Sequence, residues 1–172
     1  STCIDITAKV SSTAISWDGA TLAGSSAILF KITDAAGHDS NTTGSQAYVL
    51  DTTAPTLTVG SVDISADSGT SATDFLTKTA AQTITGTLSG ALAAGDILYG
   101  SVDNGSNWID ITSRVESTAI SWDGATLAGS RGILFKITDA AGNDSHTRGS
   151  QAYLRDTTEP NLTEGGSDIR GG

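Results

Sequence analysis

Asp51, Asp67, Asp74, Asp103, Asp139, Asn143, Asp144 and Asp156 are the side chains of this sequence whose type and grouping could do chemistry. All offer hard oxygen, and several such loops together could surround Ca²⁺, which takes six to eight oxygen ligands at about 2.3–2.6 Å. The same residue types are favoured in turns, where they accept local backbone hydrogen bonds and tolerate left-handed backbone. Both roles stay open for each of the eight. Rival chemistry is thin. His38 and His146 stand near many serines, but no third group or oxyanion site is nominated for a hydrolase. No phosphate-cradling glycine loop and no Cys/His zinc spacing occur. Trp17, Trp108 and Trp122 suit core or hairpin packing better than sugar stacking, and Asn41, Asn104, Asn143 and Asn161 open N-x-S/T triplets that read as Asn-rich turns. An enzyme is not expected.

Composition narrows the class. The 172 residues carry a formal charge of −10, with 37% apolar and 5% aromatic residues. Nucleic acid and anionic membranes call for a cationic footprint that is lacking here. A solvated extracellular module, or a captor of hard cations, fits the charge. Cys3 is the sole cysteine, so no internal disulfide can form. No apolar run is long enough to span a membrane.

These loops are positioned by a repeat. Ser12–Ser25 recurs unchanged as Ser117–Ser130, an offset of 105 residues, and sliding residues 1–67 onto 106–172 leaves 47 identical positions without a gap. The joint is set by Asp51-Thr52-Thr53-Ala54-Pro55 and its copy Asp156-Thr157-Thr158-Glu159-Pro160. Proline fixes φ and holds its predecessor extended, which makes a short stiff linker. On this reading residues 51–155 form one complete unit. Residues 1–50 are the latter half of a preceding unit and 156–172 the first strand of a following one. Pairing of these partial units between chains is one way to satisfy their open edges.

Alternation and breakers predict seven strands in the complete unit: 57–64, 82–88, 97–102, 108–112, 118–122, 132–138 and 151–155. Asn104-Gly105 predicts a hairpin between the third and fourth. Ile84, Ile97, Ile111, Ile120, Ile133, Phe135 and Ile137 are the expected core. Seven short strands in about 100 residues predict an all-β fold, an immunoglobulin-like antiparallel sandwich in tandem array. Strand parity then gathers the carboxylates at two ends. Asp67, Asp74, Asp103 and Asp156 fall beside the outgoing linker, and Asp139, Asn143 and Asp144 beside the incoming linker that carries Asp51.

The phrases Asp51-Thr-Thr-Ala-Pro55, Asp67-Ser-Gly-Thr-Ser-Ala-Thr-Asp74-Phe75, Asp103-Asn-Gly-Ser-Asn-Trp108 and Thr138-Asp-Ala-Ala-Gly-Asn-Asp144 resemble bacterial Ig-like repeats in the extender regions of giant RTX (repeats-in-toxin) adhesins. The resemblance runs over the whole chain. It implies a non-catalytic spacer outside the cell on a bacterial surface, contacting neighbouring Ig-like repeats, with structural Ca²⁺ near domain joints. Two other readings are a module binding glycan, ice or a host protein, and a self-assembling filament subunit. The chain departs from its own repeat where Cys3 matches Trp108, Arg155 matches Leu50 and Glu164 matches Val59. Arg155 and Glu164 would sit poorly on an inward face.

Overall fold

The computed structural model describes residues 2–161, so the part of the expected 156–172 strand from residue 162 on, with Glu164, lies outside the described residues. The chain divides into two units with the break between Thr52 and Thr53. It is all-β, built of antiparallel sheets with one short parallel pairing.

In the first unit a 3-10 turn at Thr7–Lys9 precedes β1 (Val10–Ser11) and β2 (Ala14–Ile15), which pair with each other. The strands β3 (Ser26–Phe30) and β4 (Gly44–Tyr48) make a second hairpin. None of its described residues is buried.

The second unit holds the core. Its strands are β5 (Val59–Ile64), β6 (Leu76–Thr77), β7 (Ala81–Leu88), β8 (Ile97–Ser101), β9 (Ile109–Asp110), β10 (Val115–Glu116), β11 (Ala119–Thr126), β12 (Ser130–Thr138) and β13 (Gly149–Arg155). One sheet runs β10-β11-β7-β5 and the other β6-β13-β12-β8-β9. A 3-10 turn at Thr112–Arg114 repeats that of the first unit at the 105-residue offset.

Period-two alternation puts one face of each strand inward. Ile84 and Leu88 of β7 and Ile120, Trp122 and Ala125 of β11 meet Leu98 of β8, Ile133, Phe135 and Ile137 of β12 and Tyr153 of β13 in one buried cluster. The two sheets thus close on a shared core, a sandwich-like arrangement. Trp122 crosses it, and the Trp122 ring occupies the space above Gly100, where a Cβ would lie only 2.5 Å from the ring. Tyr153 caps one end: its hydroxyl donates to the Val102 carbonyl at 2.7 Å.

All seven expected core residues but one are buried; Ile97 is half-buried and Leu98 lies in the core instead. The inward face of β8 falls on 98 and 100 because Leu98 pairs with Ile137 and Gly100 with Phe135. The Asn104-Gly105 hairpin forms between β8 and β9, with φ of +61° and +82° at those residues, although the loop is longer than two residues. Arg155 ends β13 half-buried, on the same side of the strand as Tyr153.

Adding one methyl at Gly100 forces Trp122 to move, and overpacking of this kind costs about 1–3 kcal/mol. Gly60, with nothing within 4 Å of a built Cβ, is the control, since exposed substitutions stay within about 0.5 kcal/mol. Gly100→Ala should lower the urea midpoint at unchanged slope while Gly60→Ala leaves it in place. Equal midpoints for the two variants would show that the Trp122 contact is slack.

Candidate functional site

The acidic loops are held by bonds that stay within each loop or reach back to the strand that leads into it. In the loop after β12, Asp139 Oδ1 accepts from the Ala141 and Asn143 backbone N–H groups at 2.9 and 2.8 Å, and Asp139 Oδ2 from Asn143 Nδ2 at 3.0 Å. Asp144 accepts from the Thr138 hydroxyl and, at 3.0 Å, from the Lys136 ammonium. Between β8 and β9, Asp103 accepts from Ser101 Oγ at 2.8 Å and from the Asn107 backbone and side-chain amides at 2.9 and 2.6 Å.

These bonds favour the ionised carboxylates. The Asn107 side-chain amide, then its backbone N–H and the Ser101 hydroxyl, hold Asp103 down to about 2. Asn143 lowers Asp139, and Asp144 is lowered by Thr138 first and Lys136 next.

The first unit repeats this arrangement. Asp34 takes the Asp139 role, accepting from Ala36, from the His38 backbone at 2.8 Å and from His38 Nδ1 at 3.1 Å. Asp39 takes that of Asp144, bonded to Thr33 and Lys31. The repeat offset sets His38 opposite Asn143, and the change of residue type suggests no repeated role for the histidine, yet His38 does what Asn143 does. The shared signal is an aspartate four residues ahead of a side chain with a ring or amide nitrogen, present at 34/38, 103/107 and 139/143.

Between β5 and β6 the arrangement differs. Asp67 Oδ2 accepts from the Phe75 N–H at 3.0 Å, while Asp67 Oδ1 is shut from solvent with no hydrogen-bond partner among the described residues. Asp74 accepts from the Leu76 N–H at 3.1 Å and Asp156 from the Thr158 N–H at 2.8 Å. The Asp156 N–H donates to the Thr77 carbonyl at 3.0 Å, which ties the outgoing segment to this loop. Ser68, Gly69, Thr77, Asp156 and Thr158 border one shallow recess, with Lys78 at its rim. Asp51 is exposed and belongs to the first unit.

Of the eight sequence-derived residues, then, Asp67, Asp74 and Asp156 share one end of the second unit. Asp139, Asn143 and Asp144 share one loop, and Asp103 closes its own. Among the described residues no three His, Cys, Asp or Glu side chains converge as a metal group. As Ca²⁺ ligands, the Asp139 and Asp144 oxygens are already engaged by turn amides, a hydroxyl and an ammonium. Asp67 Oδ1 and the neutral oxygens beside Asp156 are less engaged, although Asp67 does not line the recess itself and Lys78 does.

Trp108 is half-buried, with the Lys136 ammonium 5.3 Å from the centre of its ring and 5.2 Å from that of Tyr99. That contact is structural packing in the manner of a cation over an aromatic face. No family model matches the chain, and no curated protein matches it.

A carboxylate held below its unfolded value of 3.8 adds stability that is present above that pH and is lost as pH falls through the folded value. For Asp103 the window runs from about pH 4 to about 2. The second unit should therefore lose stability over that window, and Asp103→Asn should flatten this part of the melting-temperature profile. A profile of unchanged slope in the variant would mean that Asp103 is as well solvated unfolded as folded.

Proposed function

We propose that this chain is a non-catalytic spacer, a stretch of tandem Ig-like repeats from the extender region of a giant RTX-type adhesin displayed outside a bacterial cell. One observation carries the reading. What the two copies repeat is framework, namely ion pairs and turns that hold loops. Lys9–Asp18 recurs as Arg114–Asp123, Lys31–Asp39 as Lys136–Asp144, and the Asp34 turn as the Asp139 turn. A spacer needs this, because its properties are length and stiffness, both of which scale with copy number.

The strand order supports the Ig-like assignment. The sheets β10-β11-β7-β5 and β6-β13-β12-β8-β9 correspond to the D-E-B-A and G-F-C sets of an immunoglobulin sandwich. The first strand is shared between the sheets, β5 pairing with β7 and β6 running parallel to β13. The partners on this reading are neighbouring repeats, met through the Thr-Thr-Ala-Pro and Thr-Thr-Glu-Pro linkers.

Calcium enters the proposal at the outgoing end of the second unit. Asp67 and Asp156 would supply carboxylate, and Ser68, Thr77 and Thr158 neutral oxygen. The ion would neutralise charge and fasten the outgoing segment to the loop between β5 and β6. Extracellular modules bind Ca²⁺ at about 10⁻⁴–10⁻³ M, and binding to the folded form alone adds about 2.7 kcal/mol at a hundredfold excess over Kd.

Several millimolar Ca²⁺ should raise the melting temperature of the protein by several degrees over EDTA. Asp67→Asn, which keeps an acceptor for the Phe75 N–H, should abolish most of that rise, as should Asp156→Ala. Identical melting curves in Ca²⁺ and EDTA would remove calcium from the proposal and leave these residues as turn formers.

A further inference from the structure

Asn104 is the only asparagine of the sequence that precedes a glycine, and the pair turns the chain between β8 and β9 with φ of +61° and +82°. In an Asn-Gly pair the glycine nitrogen can attack the side-chain amide ahead of it, because no Cβ blocks the approach. Contacts on each side of the pair stand against that attack here. The Gly105 N–H donates to Ser101 Oγ at 2.9 Å, and Ser101 is fully buried and itself bonded to Asp103. The Asn104 side chain is turned towards β12. Its Oδ1 accepts from the Gly132 N–H at 2.6 Å, while the Asn104 N–H donates to the Gly132 carbonyl at 3.2 Å. The Trp108 ring and Leu134 cover Gly105, at 3.2 and 3.4 Å from where a Cβ would lie. Asn104 itself is exposed, so water reaches it.

We propose that Asn104 is a covalent modification site held shut by the fold. It is guarded while the loop between β8 and β9 is docked on β12, and it deamidates through a cyclic imide with Gly105 once that loop opens. In the open loop, base in the solvent takes the Gly105 amide proton and the nitrogen bonds to Asn104 Cγ. The Cγ–Nδ2 bond breaks, and Nδ2 leaves as ammonia with a proton from water. Water then opens the imide. Attack at Cγ leaves aspartate in an unchanged main chain. Attack at the main-chain carbonyl carbon of residue 104 leaves isoaspartate, whose main chain runs through Cβ and Cγ and is longer by a methylene. Nothing is oxidised or reduced.

The two products act differently on the unit. Aspartate keeps an acceptor for the Gly132 N–H and adds a second carboxylate beside Asp103. Isoaspartate moves Gly105 away from Ser101 and cannot keep both bonds to Gly132, so a loop that has reacted in this way no longer docks. The inference involves neither calcium nor the spacer role.

The test is peptide mapping of the whole 172-residue chain after incubation in mildly alkaline buffer, native and in concentrated urea. Deamidation at Asn104 should be slower in the native chain by about tenfold or more, as expected of a reaction that waits for local opening. Ser101→Ala frees the Gly105 N–H, whereas Gly100→Ala loosens the core and leaves the bonds of the loop in place. Compared at urea concentrations that give equal folded fractions, Ser101→Ala should react about tenfold faster than Gly100→Ala. The purified isoaspartyl chain should unfold at lower urea than the unreacted chain, with Asn104→Asp close to the latter. Equal rates in the native and urea-unfolded chains, equal rates in the two variants, or an isoaspartyl midpoint equal to that of the unreacted chain would overturn the proposal. Should Ser101→Ala not fold, the comparison of native with urea-unfolded chain and the isoaspartyl midpoint decide it.

Discussion

The pairing of β7 with β11 is the contact from which the rest of the second unit takes its form. Backbone polar groups inside a fold must find partners, and an isolated hairpin is at best marginal in water. Where β7 lies alongside, Ala119–Thr126 is one long strand, with Ile120 and Trp122 turned inward. The same residues at 14–21 form only the two-residue β2. Since the local sequence is identical, the lateral partner decides the secondary structure. With so few aromatics available, the core is a layer of Ile, Leu and Val around Trp122 and Phe135. It closes because Gly100 leaves room for the indole.

Charge plays a different part. The ion pairs Lys9–Asp18, Lys31–Asp39 and Arg114–Asp123 are exposed, and Lys136–Asp144 is exposed on its aspartate side; surface pairs of this kind contribute about 0–1 kcal/mol. The turn aspartates fix loop geometry through backbone amides, which need a hydrogen-bond acceptor more than a counter-ion. The excess of negative charge is thus compatible with a fold that depends little on electrostatics, and it keeps such surfaces apart in solution.

The long strands were legible because their alternation is strong. Ile133, Phe135 and Ile137 are buried just where period two puts them. The exception, Ile97 in place of Leu98, arose because two adjacent large aliphatics give no parity of their own, and the pairing of Leu98 with Ile137 settles it. The two-residue strands β6 and β10 were invisible for a related reason. Leu76–Thr77 and Val115–Glu116 are strands by virtue of their partners β13 and β11, and two residues carry no pattern. Among the acidic loops, turn chemistry could be read from residue type, but which carboxylate oxygen lacks a partner could not. Asp67 differs from Asp103 only in how its loop folds back, with the bond to the Phe75 N–H spanning eight residues. The matching role of His38 and Asn143 was hidden by residue identity and becomes plain once spacing is compared.

Near-verbatim repetition also has a kinetic side. While the chain is still collapsing, β7 meets two acceptors whose side chains are the same, one downstream at 119–126 and one upstream at 14–21. The upstream copy is roughly twice as distant along the chain, and doubling a closing loop costs only about 0.6 kcal/mol in entropy. Contact chemistry offers no further discrimination at that stage. The choice falls to later elements: Arg131 against Ser26 at the start of β12 and β3, or Trp108 against Cys3 ahead of β9. The few positions at which the copies differ are therefore where correct pairing can be told from its mirror along the sequence, and erasing them would leave the chain with two nearly equal ways to begin folding.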